Sequence, residues 1–163
     1  MKAILASVAV LMLAGPASAA NFEASMLAGH NSERAAVGVP PLTWSEPLAA
    51  DAQSWADHLA KTGRFEHSDA GTRKDEGENL WEGTHGGFTY EEMVASWANE
   101  KRYYKGGVFQ SGGGAGGQPI GHYTQMVWRN TTKVGCAIAS GAEYDVLVCR
   151  YDPPGNFIGE MPY

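Results

Sequence analysis

The sequence predicts an α+β domain with helices on both faces of a small, mainly antiparallel sheet. Three observations carry that reading. Apolar residues recur at helical spacing in three separate segments, and a fourth, shorter one is a helix candidate. Two β-like runs near the C-terminus flank a turn-rich Ser140-Gly141-Ala142-Glu143, and each holds one cysteine. Of the 163 residues, 44% are apolar and 18% charged, which supplies a core and is too little charge for a disordered chain. That length suits one domain. A net charge of -6 without any basic run argues against nucleic acid as the main partner.

The first residues read as an export signal rather than as fold. Lys2 gives a minimal positive start, and residues 3–14 form an apolar run too short to span a bilayer. Ala17-Ser18-Ala19 has the small-x-small pattern of a cleavage site. The expected division is a signal peptide over residues 1–19 and a single domain over 20–163. Cleavage removes one lysine and no acid, so the mature charge is one unit more negative. Localisation is then extracellular or periplasmic. No later apolar run reaches 18 residues, so no membrane span is expected.

The first helix is expected over residues 22–37, where Phe22, Met26, Leu27, His30 and Val37 fall near helical spacing before Gly38-Val39-Pro40-Pro41. After the short extended Leu42-Thr43-Trp44, Ser45 is a candidate N-cap, with Glu46 and Pro47 in the first turn. Leu48, Ala52, Trp55, Ala56 and Leu59 make one apolar face, and Thr62-Gly63 stops that helix. Residues 63–77 are polar and irregular. Asn79-Leu80-Trp81 begins a strand. Thr89 and Glu92 have capping-box spacing, and the helix they start is expected to reach about Tyr104. Seven glycines in residues 106–117 predict a mobile loop. A short helix is expected over residues 121–128, then strands over 133–139 and 144–151. In an oxidising compartment, Cys136 and Cys149 are an even pair that staples this hairpin.

No HExxH, zinc knuckle, GxSxG elbow or phosphate-cradling loop is present. What the chain does contain is a resemblance to the CAP superfamily, which groups cysteine-rich secretory proteins, wasp-venom antigen five and plant pathogenesis-related proteins of group one. Gly121-His122-Tyr123-Thr124-Gln125-Met126-Val127-Trp128-Arg129-Asn130-Thr131 resembles its first signature. Cys149-Arg150-Tyr151-Asp152-Pro153-Pro154-Gly155-Asn156-Phe157 resembles its second. Gly77-Glu78-Asn79-Leu80, the Trp97-x-x-Glu100 spacing and His30-Asn31 with Arg34 also match. The resemblance covers about residues 22–159 and implies an α-β-α sandwich. Plant members carry six cysteines; here Ile120 stands where one of them would lie.

The resemblance further implies a cleft made by His67, Glu78, Glu100 and His122, with Tyr123 and Gln125 as neighbours. His67 and His122 would be the ligands of a divalent cation such as Zn2+, with the carboxylates completing or orienting the shell. The implied function is a secreted binding protein for a cation, and for a lipid or sterol on nearby apolar surface. Two alternatives stay open. One is a hydrolase using Ser68, the only hydroxyl beside the tetrad, or a metal-activated water. The other is an envelope or host-interaction protein with a vestigial cleft. The missing nucleophile motif leans away from an enzyme.

Overall fold

The computed structural model describes residues 16–73 and 75–163. Lys2 and the apolar run at 3–14 lie outside them. The helices are α1 (Pro16–Ala36), α2 (Glu46–Thr62), α3 (Tyr90–Ala98) and α4 (Gly121–Met126), and the strands are β1 (Thr43–Trp44), β2 (Gly77–Thr84), β3 (Lys133–Ser140) and β4 (Tyr144–Asp152). Helix α1 begins ahead of the expected residue 22, so the predicted cleavage point after Ala19 falls in its first turn. Among the described residues no helix is long and apolar enough to cross a membrane.

The four strands form one sheet in the order β1-β3-β4-β2, with β1 parallel to β3 and the other pairs antiparallel. Side chains alternate across a strand, and the two faces of β4 fill two cores. Val146 and Val148 pack with Leu80, Ala137 and the Ala52, Ala56 and Leu59 face of α2. Leu147, Cys149 and Tyr151 pack with Met26 of α1, Met93, Val94 and Trp97 of α3, and Tyr123 and Met126 of α4. The result is the expected α-β-α sandwich, with α2 the one helix on its face among the described residues. Gly135 makes that face possible: a Cβ there would lie 2.2 Å from the Ala49 nitrogen, so only glycine lets α2 settle on β3.

Three local expectations change. Ser45 sits at the N-cap position of α2 with extended dihedrals, but its side chain makes no capping hydrogen bond; its carbonyl accepts from Ala49 N–H instead. The helix capped by Thr89 and Glu92 does form the reciprocal box, yet its α-helical part stops at Ala98. Residues Asn99–Arg102 continue as a 3-10 turn, which swings Glu100 towards α4. The glycine-rich segment 106–117 is held to the body rather than loose. Phe109 N–H donates to the Glu160 carbonyl at 2.7 Å, Gly159 N–H to the Phe109 carbonyl at 2.9 Å, and Ala115 N–H to the Tyr103 carbonyl at 2.9 Å. The Phe109 ring meets Trp128 edge-on. Its partners include backbone groups of the C-terminal segment and of Tyr103, which glycine content does not reveal.

Cys136 and Cys149 are directly opposed in the β3–β4 ladder and form the expected disulfide. The bridge spans a sequence separation of 13, so in the chain-entropy view it acts mainly on the unfolded state. The double change Cys136→Ser with Cys149→Ser is expected to leave a folded protein about 2–4 kcal/mol less stable. Urea unfolding of both forms checks this, and coincident curves would contradict it.

Candidate functional site

The site is built around two adjacent residues of β2, the strand at one edge of the sheet. Glu78 shares a face with Leu80, on the α2 side, and Asn79 points to the other layer. The loop that follows α2 lays His67 and Ser68 over Glu78. His67 Nδ1 donates to Glu78 Oε1 at 2.6 Å. Ser68 donates twice, N–H to Oε1 at 3.1 Å and Oγ–H to Oε2 at 2.8 Å. The Glu78 side chain is fully buried while the His67 ring is 56% exposed. Burial alone would raise the Glu78 pKa. The His67 hydrogen bond, the Arg150 charge and the two Ser68 donors outweigh it, so the carboxyl sits below its ordinary value and is anionic at neutral pH.

The second pair lies on the opposite face. Glu100, turned in by the 3-10 segment, meets the start of α4. His122 Nδ1 donates to Glu100 Oε1 at 2.6 Å, and the backbone N–H groups of His122 and Tyr123 donate to Oε2 at 2.9 and 3.2 Å. Those N–H groups have no partner inside the helix, so Glu100 satisfies them and fixes the imidazole together. The Trp97 indole stacks on the His122 ring, 17° from parallel at 5.9 Å. Its Nε1–H is tied to the Leu80 carbonyl at 3.0 Å.

Asn79 couples this half to the sheet. Its Nδ2 donates to the His122 carbonyl at 3.1 Å and to the Tyr151 hydroxyl at 3.0 Å. The chain continues inward, since Tyr151 Oη lies 2.8 Å from His30 Nε2 and His30 Nδ1 lies 2.8 Å from the Met26 carbonyl. A carbonyl only accepts, so Nδ1 carries the proton and Nε2 accepts from the tyrosine. Burial dominates the titration of His30 and lowers its pKa to about 4.

The tetrad expected from sequence is therefore present as two histidine–carboxylate pairs, each with Nδ1 engaged. In both, Nε2 is the remaining nitrogen. Among the described residues no three His, Cys, Asp or Glu side chains converge as a ready-made metal cage. Tyr123 and Gln125, expected as neighbours of the cleft, turn inward. Tyr123 packs against Tyr104 in the core, and burial raises its pKa. Gln125 bonds Thr131 and Gly155. Gly77 makes room for it, because a Cβ there would lie 2.3 Å from Gln125 Oε1. Ser68 is 4% exposed and bonds Glu78 and Arg150 rather than an imidazole. Its burial limits access, and its hydroxyl is tied between Glu78 and Arg150. His85, outside the matched motifs, pairs separately with Asp145 at 2.8 Å.

The roles of Asn79, Trp97 and Arg150 were not read from sequence. Arg150 carried the clearest signal, a charge between the apolar run Val146-Leu147-Val148-Cys149 and Tyr151. A groove of about 400 Å³ lies between α1 and α3. Small residues line it, among them Ala24, Ala28, Gly29 and Ala95.

A small sheet between helical layers, with a histidine–glutamate pair on each face of its edge strand, defines the class of secreted-protein domain that the motifs resembled. The chain matches the model of the CAP, or cysteine-rich secretory protein, family over residues 27–151, and it belongs to that family. It is 43% identical over 154 residues to pathogenesis-related protein 1A of Nicotiana tabacum, covering 94% of this chain and 88% of the relative. It is 38% identical over 145 residues to pathogenesis-related protein PR-1 of Medicago truncatula, covering 88% and 80%. Among solved structures, Na-ASP-1 is similar with a TM-score of 0.76 at 25% identity, covering 87% of this chain and 41% of that one. NaASP2 with Zn2+ is similar with a TM-score of 0.71 at 27% identity, covering 86% and 84%.

The neutral, buried His30 makes stability depend on pH. Unfolded histidine binds a proton below about pH 6.5, whereas the folded group does so only near 4. Its contribution is complete above 6.5 and is lost as pH falls towards 4, by about 3 kcal/mol over that window. The Glu78 contribution is lost lower, below the ordinary carboxyl value of 4.5. His30→Gln is expected to be less stable at pH 7 yet flatter between pH 6.5 and 4.5. An unchanged slope in denaturant unfolding across that range would contradict the assignment.

Proposed function

We propose that this chain is an exported binding protein whose two histidines hold a divalent cation such as Zn2+ between the two pairs. The observation that supports it most is the matched wiring of His67 and His122. Each Nδ1–H is spent on a buried or half-buried glutamate, which fixes the tautomer that leaves an Nε2 lone pair. Carboxylate–imidazole pairs of this kind orient ligands for zinc and raise their basicity. The NaASP2 structure, similar in fold, is one with Zn2+. Two protein nitrogens leave coordination positions for water or for a ligand, so a bound ion would supply a Lewis-acid contact for an incoming donor group. Intact pairs on both faces speak against a vestigial cleft.

Calorimetric titration with Zn2+ tests the reading. One site is expected, with affinity falling from pH 7 to 5 because protons compete for the imidazoles. His67→Ala with His122→Ala should abolish binding, and His85→Ala should leave it intact. Equal zinc affinity in the wild type and the double variant would overturn the metal reading.

A second reading, an apolar ligand such as a lipid or sterol, has the α1–α3 groove in its favour. Its floor is formed of alanine, glycine and serine, and the helices approach closely enough that a Cβ on Gly29 would lie 2.5 Å from Val94 Cγ1. Filling the groove with Ala28→Trp should abolish binding of a fluorescent fatty acid. Undiminished binding by that variant would remove the groove from consideration.

A further inference from the structure

Behind Glu78 lies the guanidinium of Arg150. Arg150 stands opposite Glu78 in the β2–β4 ladder. Its side chain is 5% exposed. One Nη2 serves two partners of the His67 half, Glu78 Oε2 at 3.0 Å and Ser68 Oγ at 3.0 Å. Its Nη1 reaches Glu76 Oε2 at 3.3 Å. Arg73 approaches the other oxygen of Glu78 from the outside, at 3.5 Å. Glu100 receives only His122 and two backbone N–H groups among these bonds. The two halves of the cleft are thus held differently, His122 by a helix end and His67 by a buried arginine fork.

From this asymmetry we infer that Arg150 is the positioning residue of the His67 half: it clamps Glu78 and Ser68 from inside the sheet and so holds His67 as the Nδ1–H tautomer with Nε2 presented to the cleft. The chain of contact is short and directional. Arg150 Nη2 holds Glu78 Oε2, and Glu78 Oε1 accepts from both His67 Nδ1 and Ser68 N–H. The imidazole and the backbone just beyond it are therefore anchored on the same atom. His67 itself is more than half exposed, so no packing on its ring would replace that anchor. The planar guanidinium sets Nη2 on Glu78 and Ser68 while Nη1 is tied to Glu76, an arrangement of two nitrogens that a lysine ammonium, a single point donor, does not reproduce. The inference rests on the cation-binding reading for its consequence, but its structural content concerns the metal-free protein.

The test uses Arg150→Met, which keeps length and apolar volume, and Arg150→Lys, which keeps charge without the fork. Nitrogen–proton correlation spectra of the metal-free protein report the tautomer of each histidine. In the wild type, His67 and His122 are both expected as Nδ1–H. In Arg150→Met, His67 should move to a mixture of tautomers while His122 stays unchanged, which also shows that the variant is folded. Arg150→Lys, the variant to use should the Met form fail to fold, should give an intermediate mixture. Zinc affinity should drop about 10- to 100-fold in Arg150→Met, the usual cost of losing an outer-shell partner, with partial rescue by lysine. A His67 tautomer unaltered in both variants overturns the inference. A shifted tautomer in a protein that binds no zinc upholds the positioning role and instead removes the metal reading.

Discussion

The cleft depends on the alternation of one edge strand at Glu78 and Asn79. Adjacent residues of β2 must point to opposite faces, and here each carries a polar group that the neighbouring layer cannot leave unpartnered. Glu78, fully buried, recruits His67 and Ser68 from the loop after α2. Asn79 recruits the His122 carbonyl from the opposite layer and the hydroxyl of Tyr151 on β4. A one-residue slip of β2 would exchange the two faces, parting Glu78 from His67 and Asn79 from the His122 carbonyl at once. The eight-residue ladder with β4 fixes that register.

The opposite layer is pinned by a second buried cation. Arg34, at the end of α1, is fully buried and donates to the Pro40, Met126, Trp128 and Thr131 carbonyls at 2.6–3.0 Å. Burial lowers its pKa to about 10, so it remains charged at neutral pH. Two of those carbonyls lie at the C-terminal end of α4, where cations are favoured. Arg34 therefore sets where α4 ends, and Glu100 sets where it begins. His122 lies between these restraints, stacked on Trp97. Packing alone would allow the short α4 to slide; hydrogen bonds at both ends hold it.

Much of this fold is legible in the sequence, for identifiable reasons. Apolar periodicity located α2, and Thr89 with Glu92 located the start of α3, because both signals are local. The hairpin was readable from its turn and its cysteines. What escaped were features whose partners are distant in the chain. The extent of α3 depends on Glu100 turning towards residues 121–123. The order of residues 106–117 depends on the C-terminal backbone near Glu160. The four cleft residues span 55 positions, so no local pattern groups them; only the resemblance to a family did. That resemblance named His67, Glu78, Glu100 and His122 but not their division into two pairs on opposite faces. Nor did it show that Ser68 is a buried support for Glu78.

A crystal grown with Zn2+, with anomalous data collected at the zinc edge, tests the central claim most directly. The account predicts one strong peak about 2.0–2.1 Å from the Nε2 atoms of both His67 and His122, with each Nδ1 still on its glutamate. A peak bound through Nδ1, a peak at His85, or no peak in the cleft at all would contradict it.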